Sequence, residues 1–544
     1  MGCNASTASH PNPAQILPIS LAKSSLDKYL DIDALLDLLD QEDIVLVWAS
    51  SLLHLAASKQ PFLRRQDLPA GAVVDKAARR RLAGEVHAWS RACAANSDKP
   101  VLRQAMRFPP FVIVSYAWMG KEHPDSDSRQ LREVLAPALY FYMAERARLI
   151  HTKDVYDERL QQQRSAIAQN LLKRNERKLV KPTGADFACF LDFSSLWQKE
   201  RTEEQGQSFG RGLGSMDLLY AHQQTAIFRM TRLLDGYEGT GILPYGNRGW
   251  PFFETTVSQL IKPAHLCLDL GAAEAPSALA AFADLAAFAD GATPPKRELA
   301  KRGDYGDVFN PGKFGAFKGV RAPPLAPAEF ARQAEDKTVT NGKDKATLVE
   351  LQARVSTAVL GNVRDLSYVK LGWGAAEMVV FVIAMPMCAQ LRSLSLAANP
   401  LGDEGVALLA AALHHAPRLE SLDLAVCRIG GEGARALAKA VEGNQAMKKI
   451  ALSGNRIKDE GAIAIAEWLK SNKSLTELGL VSCGIGPAGG KALASGLSEG
   501  GGAALTKLEL VLNGMDDATK QLVKKAVRRR RGFELQICDP QFPG

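Results

Sequence analysis

The sequence predicts an α/β protein in two parts, an open parallel sheet followed by a solenoid of stacked strand and helix units. Two observations carry this expectation. From Leu391 onward an apolar pattern recurs in steps of 28, 28, 28 and 30 residues, the sign of one supersecondary unit repeated along the chain. Ahead of it, between residues 105 and 270, short β-branched runs alternate with helical patterns, the order that builds a parallel sheet.

A chain of 544 residues is too long for one core and divides into several domains. The expected segments are a tail (1–12), a helical region (13–104) and an α/β domain (105–270) with a charged helical insertion near 145–182. An Ala-rich helix and Pro/Gly/Lys-rich linker (271–345) and a solenoid (346–544) follow. The net charge of +8 is a mild excess over this length and implies no nucleic-acid partner. Part of it sits in Lys524, Lys525 and Arg528 to Arg531, which either attract an anionic leaflet or form the solvated cap of the last repeat.

The eight cysteines are scattered singly, without the paired spacing of a zinc site or disulfide framework. A reducing, intracellular setting is expected. His123, His151, His222 and His265 share no ligand spacing, so neither a metal nor another cofactor is expected. No apolar run reaches the ~18 to 20 residues of a spanning helix.

The chain begins Met1-Gly2-Cys3-Asn4-Ala5-Ser6. Gly2 and Ser6 fit the N-myristoylation pattern, and Cys3 stands where a palmitate is added. One myristoyl chain binds a membrane only marginally and a second makes the anchor stable. The expectation is dual acylation at Gly2 and Cys3 and a place on the cytoplasmic face of a membrane, most naturally the plasma membrane.

Residues 13–100 read as helical, with Leu26 to Leu39 apolar at helical spacing. Phe111 to Tyr116 is a continuous β-branched and aromatic run, predicting a buried parallel strand, with a helix from about Ser128. A second strand is expected at Asp186 to Asp192. Then come a helix over Phe209 to Ala221, a strand near Thr225 to Leu233 and a helix opened by Asn247 to Glu254.

Three landmarks occur in this order: a strand ending Val114-Ser115-Tyr116, a strand ending Phe190-Leu191-Asp192, and W-x-x-x-E from Trp250 to Glu254. On them the region resembles a divergent Toll-receptor-like (TIR) domain, an open parallel sheet of flavodoxin-like type. The stretch from Ser115 to Asp192 exceeds what that family uses, which is why an insertion is assigned there. In members that cleave NAD, the resemblance implies Glu254 as the catalytic carboxylate, with Ser115, Asp192 and Trp250 around it and NAD as substrate. The plainer alternative is that Trp250 and Glu254 pack a helix and Asp192 bonds a loop backbone.

In the repeats, L-x-x-L-x-L-x-x-[N/C] begins at Leu391, Leu419, Met447, Leu475 and Leu505, and its last position alternates Asn399, Cys427, Asn455, Cys483, Asn513. That position turns inward and needs a compact side chain able to bond backbone. The pattern resembles the ribonuclease-inhibitor type of leucine-rich repeat, with residues 363–390 as a degenerate cap. Strand alternation places Ser393, Ser395, Ser421, Asp423, Lys449, Ser453, Glu477, Val481, Lys507 and Glu509 on the open concave face, the candidate surface for an unidentified protein partner.

No glycine-rich phosphate loop, kinase signature or G-x-S-x-G elbow is present. The functional expectation is a non-enzymatic, membrane-tethered adaptor or scaffold in signalling. Its rival is a TIR-like NAD glycohydrolase with the repeats as sensor or regulator.

Overall fold

The computed structural model describes residues 26–95, 108–119, 123–139, 142–143, 146, 186–232, 234, 243–263, 266–271, 321–339, 341–342, 344–498 and 501–537. Gly2 and Cys3, nearly all of the insertion and the Ala-rich stretch lie outside the described residues.

The first sheet has five strands: β1 (Val47–Trp48), β2 (Phe111–Tyr116), β3 (Ala188–Phe190), β4 (Ala226–Met230) and β5 (Cys267–Asp269), in the spatial order β1-β3-β2-β4-β5. The last four strands are parallel, and β2 lies between β3 and β4. All six residues of β2 and all five of β4 are buried, because apolar material covers both faces. Phe111 and Ile113 enter one cluster with the helices Met216–Ala221 and Gly249–Ser258, whereas Val112 and Val114 enter another with Leu131, Leu135 and Tyr142.

Three features differ from the sequence expectation. The helical region 13–104 supplies an edge strand, since Val47 and Trp48 pair antiparallel with Cys189 and Ala188 before the helix Ala49–Ala57 begins. The single helix expected over Phe209 to Ala221 is two, Glu203–Leu213 and Met216–Ala221, broken at Gly214 and Ser215. The last part of the expected linker forms a helix, Pro327–Glu335, whose buried Phe330 stacks on Phe252 at 4.8 Å.

The second sheet holds seven parallel strands in sequence order: β6 (Asp365–Ser367), β7 (Ser393–Ser395), β8 (Ser421–Asp423), β9 (Lys449–Ala451), β10 (Glu477–Gly479), β11 (Lys507–Glu509) and β12 (Glu534–Gln536). Central residues Leu366, Leu394, Leu422, Ile450, Leu478, Leu508 and Leu535 stand in register. β6 belongs to the degenerate unit before the five clear repeats, and β12 lies beyond the last of them.

The alternation of Asn and Cys has a hydrogen-bonding cause. The amide oxygen of Asn455 accepts the backbone N–H groups of Cys427 and Ile429 at 2.9 and 3.0 Å, and its NH2 donates to Leu424 and Leu452 carbonyls at 2.8 and 2.7 Å. Asn399 and Asn513 repeat the arrangement one step either side of a Cys unit. Each Asn thus closes the loop of the unit before it, and a Cys unit needs only a small group, whose Sγ donates to the Leu396 or Leu452 carbonyl.

A second side chain follows the same two-unit rhythm. Asp403 accepts from Gly430 and Gly433, and Asp459 from Gly486 and Gly489, at 2.6 to 2.9 Å. A Cβ on Gly433 would lie 2.5 Å from the Asp403 carboxylate, so glycine is required where the carboxylate caps the next helix. Asp517, the equivalent residue at the end of the stack, is exposed.

Cys189, Cys267, Cys388, Cys427 and Cys483 are buried free thiols. Among the described residues no helix is long and apolar enough to cross a membrane. The two sheets are not separate bodies. One apolar cluster runs from Tyr29 to Ile537, and the helix Asp344–Leu360 joins them, with Arg354 donating to Asp217 at 2.6 Å.

Candidate functional site

The carboxyl ends of β2, β3 and β4 are where an open parallel sheet delivers ligands. β2 ends on Ser115 and Tyr116. The helix Gly249–Ser258 is pinned at its start by Gly249 N–H to the Thr338 carbonyl at 2.9 Å, with no room there for a Cβ beside Val339. That fixes the helix so that Glu254 meets β2. The Ser115 hydroxyl donates to the Glu254 carboxylate and also bonds the Tyr245 hydroxyl. Tyr245 in turn reaches Thr255 Oγ1 at 3.2 Å.

Glu254 is 6% exposed. Burial pushes its carboxyl up to about 8, the Ser115 hydrogen bond opposes this, and the nearby Asp192 charge adds to it. Near neutral pH the group is therefore largely a protonated acid. β3 stops at Phe190, short of the expected strand end, and Asp192 opens the short helix Asp192–Ser195; its carboxyl is also raised by burial. It accepts from Trp118 Nε1 at 3.0 Å and from Phe193 N–H at 2.7 Å. The Tyr116 hydroxyl lies close enough to Asp192 for each to shift the other, yet it makes no bond of normal hydrogen-bond geometry.

Of the four residues expected here, Ser115 and Glu254 bond directly and Asp192 acts on Glu254 through its charge. Trp250 does not join them. Its indole donates to Asp344 at 3.2 Å and its ring stands edge-on to Phe253. Tyr245 was missed because it lies in the turn Pro244-Tyr245-Gly246-Asn247, where no strand or helix period marks it. Among the described residues no group of three His, Cys, Asp or Glu is placed to hold a metal ion.

The burial of Glu254 makes stability depend on pH. An unfolded glutamate ionises near 4.5, whereas the folded group keeps its proton to about 8. Between these values the native state binds more protons than the unfolded chain, so stability falls as pH rises through the window. Glu254→Gln cannot ionise and is expected to flatten that fall, by roughly 1.4 kcal/mol for each unit of displacement. Urea midpoints at about pH 5 and about pH 8.5 measure the slope, and equal slopes in both proteins would assign the titration to another group.

The strand face of the solenoid is the other candidate surface. Ser393, Ser395, Ser421, Asp423 and Glu477 are partly exposed and Lys449 is exposed, while the leucines or isoleucine between them are buried. The charged groups are paired across or along the ladder: Arg392 with Glu420, Lys449 with Glu477, Lys507 with Glu509 and Glu534. Ser395 donates to Asp423 at 2.9 Å, and Ser453 accepts from the Val481 N–H at 3.2 Å. The face is polar and free of aromatic side chains, and its Arg392 is already paired with Glu420, so it lacks the free Trp, Tyr and Arg anchors of tight interfaces.

A model of the Leucine Rich repeat family matches residues 388–410, 415–438, 443–466 and 471–494. These residues form a leucine-rich-repeat region, and such repeats suggest a protein-binding role. Compared with curated proteins, the chain finds no match.

Proposed function

We propose that this protein is a membrane-tethered adaptor in signalling, whose ribonuclease-inhibitor-like solenoid recruits a protein partner and whose α/β domain holds that solenoid in a fixed place. The observation that carries the reading is the continuous core shared by the α/β domain and the repeats, which presents the strand face at a set position while leaving it open. Ser393, Ser421, Lys449, Glu477, Lys507 and Glu509 form the partner-facing row. Because their charges already pair within the face, the grip is modest, and the acyl chains at Gly2 and Cys3 supply the location that weak binding needs.

A TIR-like NAD glycohydrolase is the second reading, and one contact favours it. Ser115 and Glu254 meet at the carboxyl ends of parallel strands whose chain order across the sheet is 2-1-3-4, the order of flavodoxin-like sheets. A carboxylate there could stabilise the oxocarbenium-like state formed as the nicotinamide bond breaks. The buried, proton-retaining state of Glu254 weighs against it.

NAD consumption by the folded full chain, free and clustered on vesicles, separates the two readings when measured beside Glu254→Gln. The adaptor reading expects no turnover above background in either protein, and expects Gly2→Ala to move the chain from the membrane to the soluble fraction of cells. Turnover by the wild type that is lost in Glu254→Gln would overturn it.

A further inference from the structure

The end of the solenoid departs from the rest of the surface. On the repeats before it, Lys449 pairs with Glu477, Arg435 with Glu432 and Lys470 with Glu467, and the remaining cations are scattered along the chain. The last helix, Asp517–Val527, keeps its acids at the first turn and carries Lys524 and Lys525 in the last. Arg528, Arg529 and Arg531 follow, all exposed. None of these five cations forms an ion pair among the described residues. Arg530 alone turns inward, donating to the carbonyls of Leu497, Gly501 and Gly502 at 2.5 to 2.8 Å. One arginine of the run thus closes the preceding helix, and its neighbours are held outward.

Two leucines stand exposed on this terminal unit, Leu522 at 43% on the last helix and Leu512 at 54%. Leu522 and Lys525 are one turn apart on the same helix face. Cations beside exposed leucine suit an interface where headgroups are anionic and the layer beneath is apolar. Nucleic acid would use the charge and leave the leucines unused, and Phe533, the aromatic ring among the described residues here, has the Arg530 guanidinium over it. Among the described residues β12 is the last strand of this sheet.

We propose that the C-terminal cap of the solenoid is a second membrane contact, which binds anionic lipid through Lys524, Lys525, Arg528, Arg529 and Arg531 with Leu522 seated among the headgroups. The proposal deepens the tethered reading and rests on it for the presence of a membrane.

The test uses the unacylated full chain and vesicles of phosphatidylcholine, with or without about 30% phosphatidylserine. Co-sedimentation with the anionic vesicles alone is expected, with release when salt is raised to about 0.5 M. Changing the five cations to serine, with Arg530 retained, is expected to lower the partition coefficient by about a thousandfold. Leu522→Ser is expected to lower it severalfold, and thermal melts confirm that each variant is folded. Equal binding to neutral vesicles, unchanged binding by the five-serine variant, or displacement by single-stranded RNA at matched phosphate would overturn the proposal. Myristate incorporation at Gly2, read in a separate labelling experiment, tests the tether itself, so the two can fail independently.

Discussion

Asn455→Ala is expected to destabilise the solenoid by about 3–5 kcal/mol, one of the two largest losses in this fold. The side chain is 1% exposed and makes four hydrogen bonds, two accepted and two donated. Alanine leaves the Cys427 and Ile429 N–H groups and the Leu424 carbonyl buried without these partners and the Leu452 carbonyl with only the weak Cys483 Sγ donor, at about 1–3 kcal/mol for each orphaned group before relaxation. Cys427→Ala removes only weak Sγ donation to Leu396 and a small volume, so about 1–2 kcal/mol is expected. Asn513 makes the same four bonds but is only half-buried near the end of the stack, where water can replace them. Urea midpoints should therefore rank Asn455→Ala well below Asn513→Ala, with Cys427→Ala the mildest. A loss under ~1 kcal/mol at Asn455 would mean that the ladder is not what holds the units in register.

The same ladder explains why the repeats were legible in the sequence. The residue before each inward side chain occupies left-handed backbone: Lys370, Ala398, Val426, Gly454, Ser482 and Leu512 have φ between +54° and +74°. A turn of that kind costs each non-glycine residue roughly 1–2 kcal/mol and persists where surrounding bonds fix it. Those bonds need specific residue types at fixed spacing, and spacing is what a sequence displays. Lys370 shares the conformation, so the degenerate unit keeps the backbone of the repeat after losing most of its side-chain pattern.

The α/β domain was legible where burial is continuous and obscure where tertiary contact decides. β2 and β4 are buried throughout and mostly apolar, and they stood out. Val47 and Trp48 form a strand only because Cys189 and Ala188 are beside them, and their neighbours are apolar enough to suggest a helix. Ser115 and Glu254 were singled out by landmarks in order, and they do meet. Trp250 came from the same motif, yet its partner Asp344 lies in the helix that leads to the solenoid, a contact between segments far apart in the chain.

Arg321→Met is expected to separate the unfolding of the two sheets. Arg321 is 6% exposed and sits at the joint. Its guanidinium donates to Gln259 and Leu260, which follow the helix Gly249–Ser258, at 2.9 and 3.0 Å, and to Ser367 of β6 at 2.6 Å. It lies over the Tyr368 ring at 4.1 Å, Tyr368 donates to Leu260, and Trp373 donates to the Arg321 carbonyl at 2.9 Å. Methionine fills the volume and leaves the Gln259 and Ser367 carbonyls without these donors, for a loss of about 3–5 kcal/mol. Lysine restores the charge without a planar fork able to reach three carbonyls, so Arg321→Lys should recover less than half of it. Arg354 to Asp217 and Trp250 to Asp344 remain, which keeps the helix Asp344–Leu360 seated on the α/β domain. The loss thus falls on the cap unit, and calorimetry should show one transition in the wild type and two in Arg321→Met, the repeats melting first. A single transition at the wild-type temperature would mean that the shared apolar core alone couples the two parts, and that the arginine fixes orientation without contributing to cooperativity.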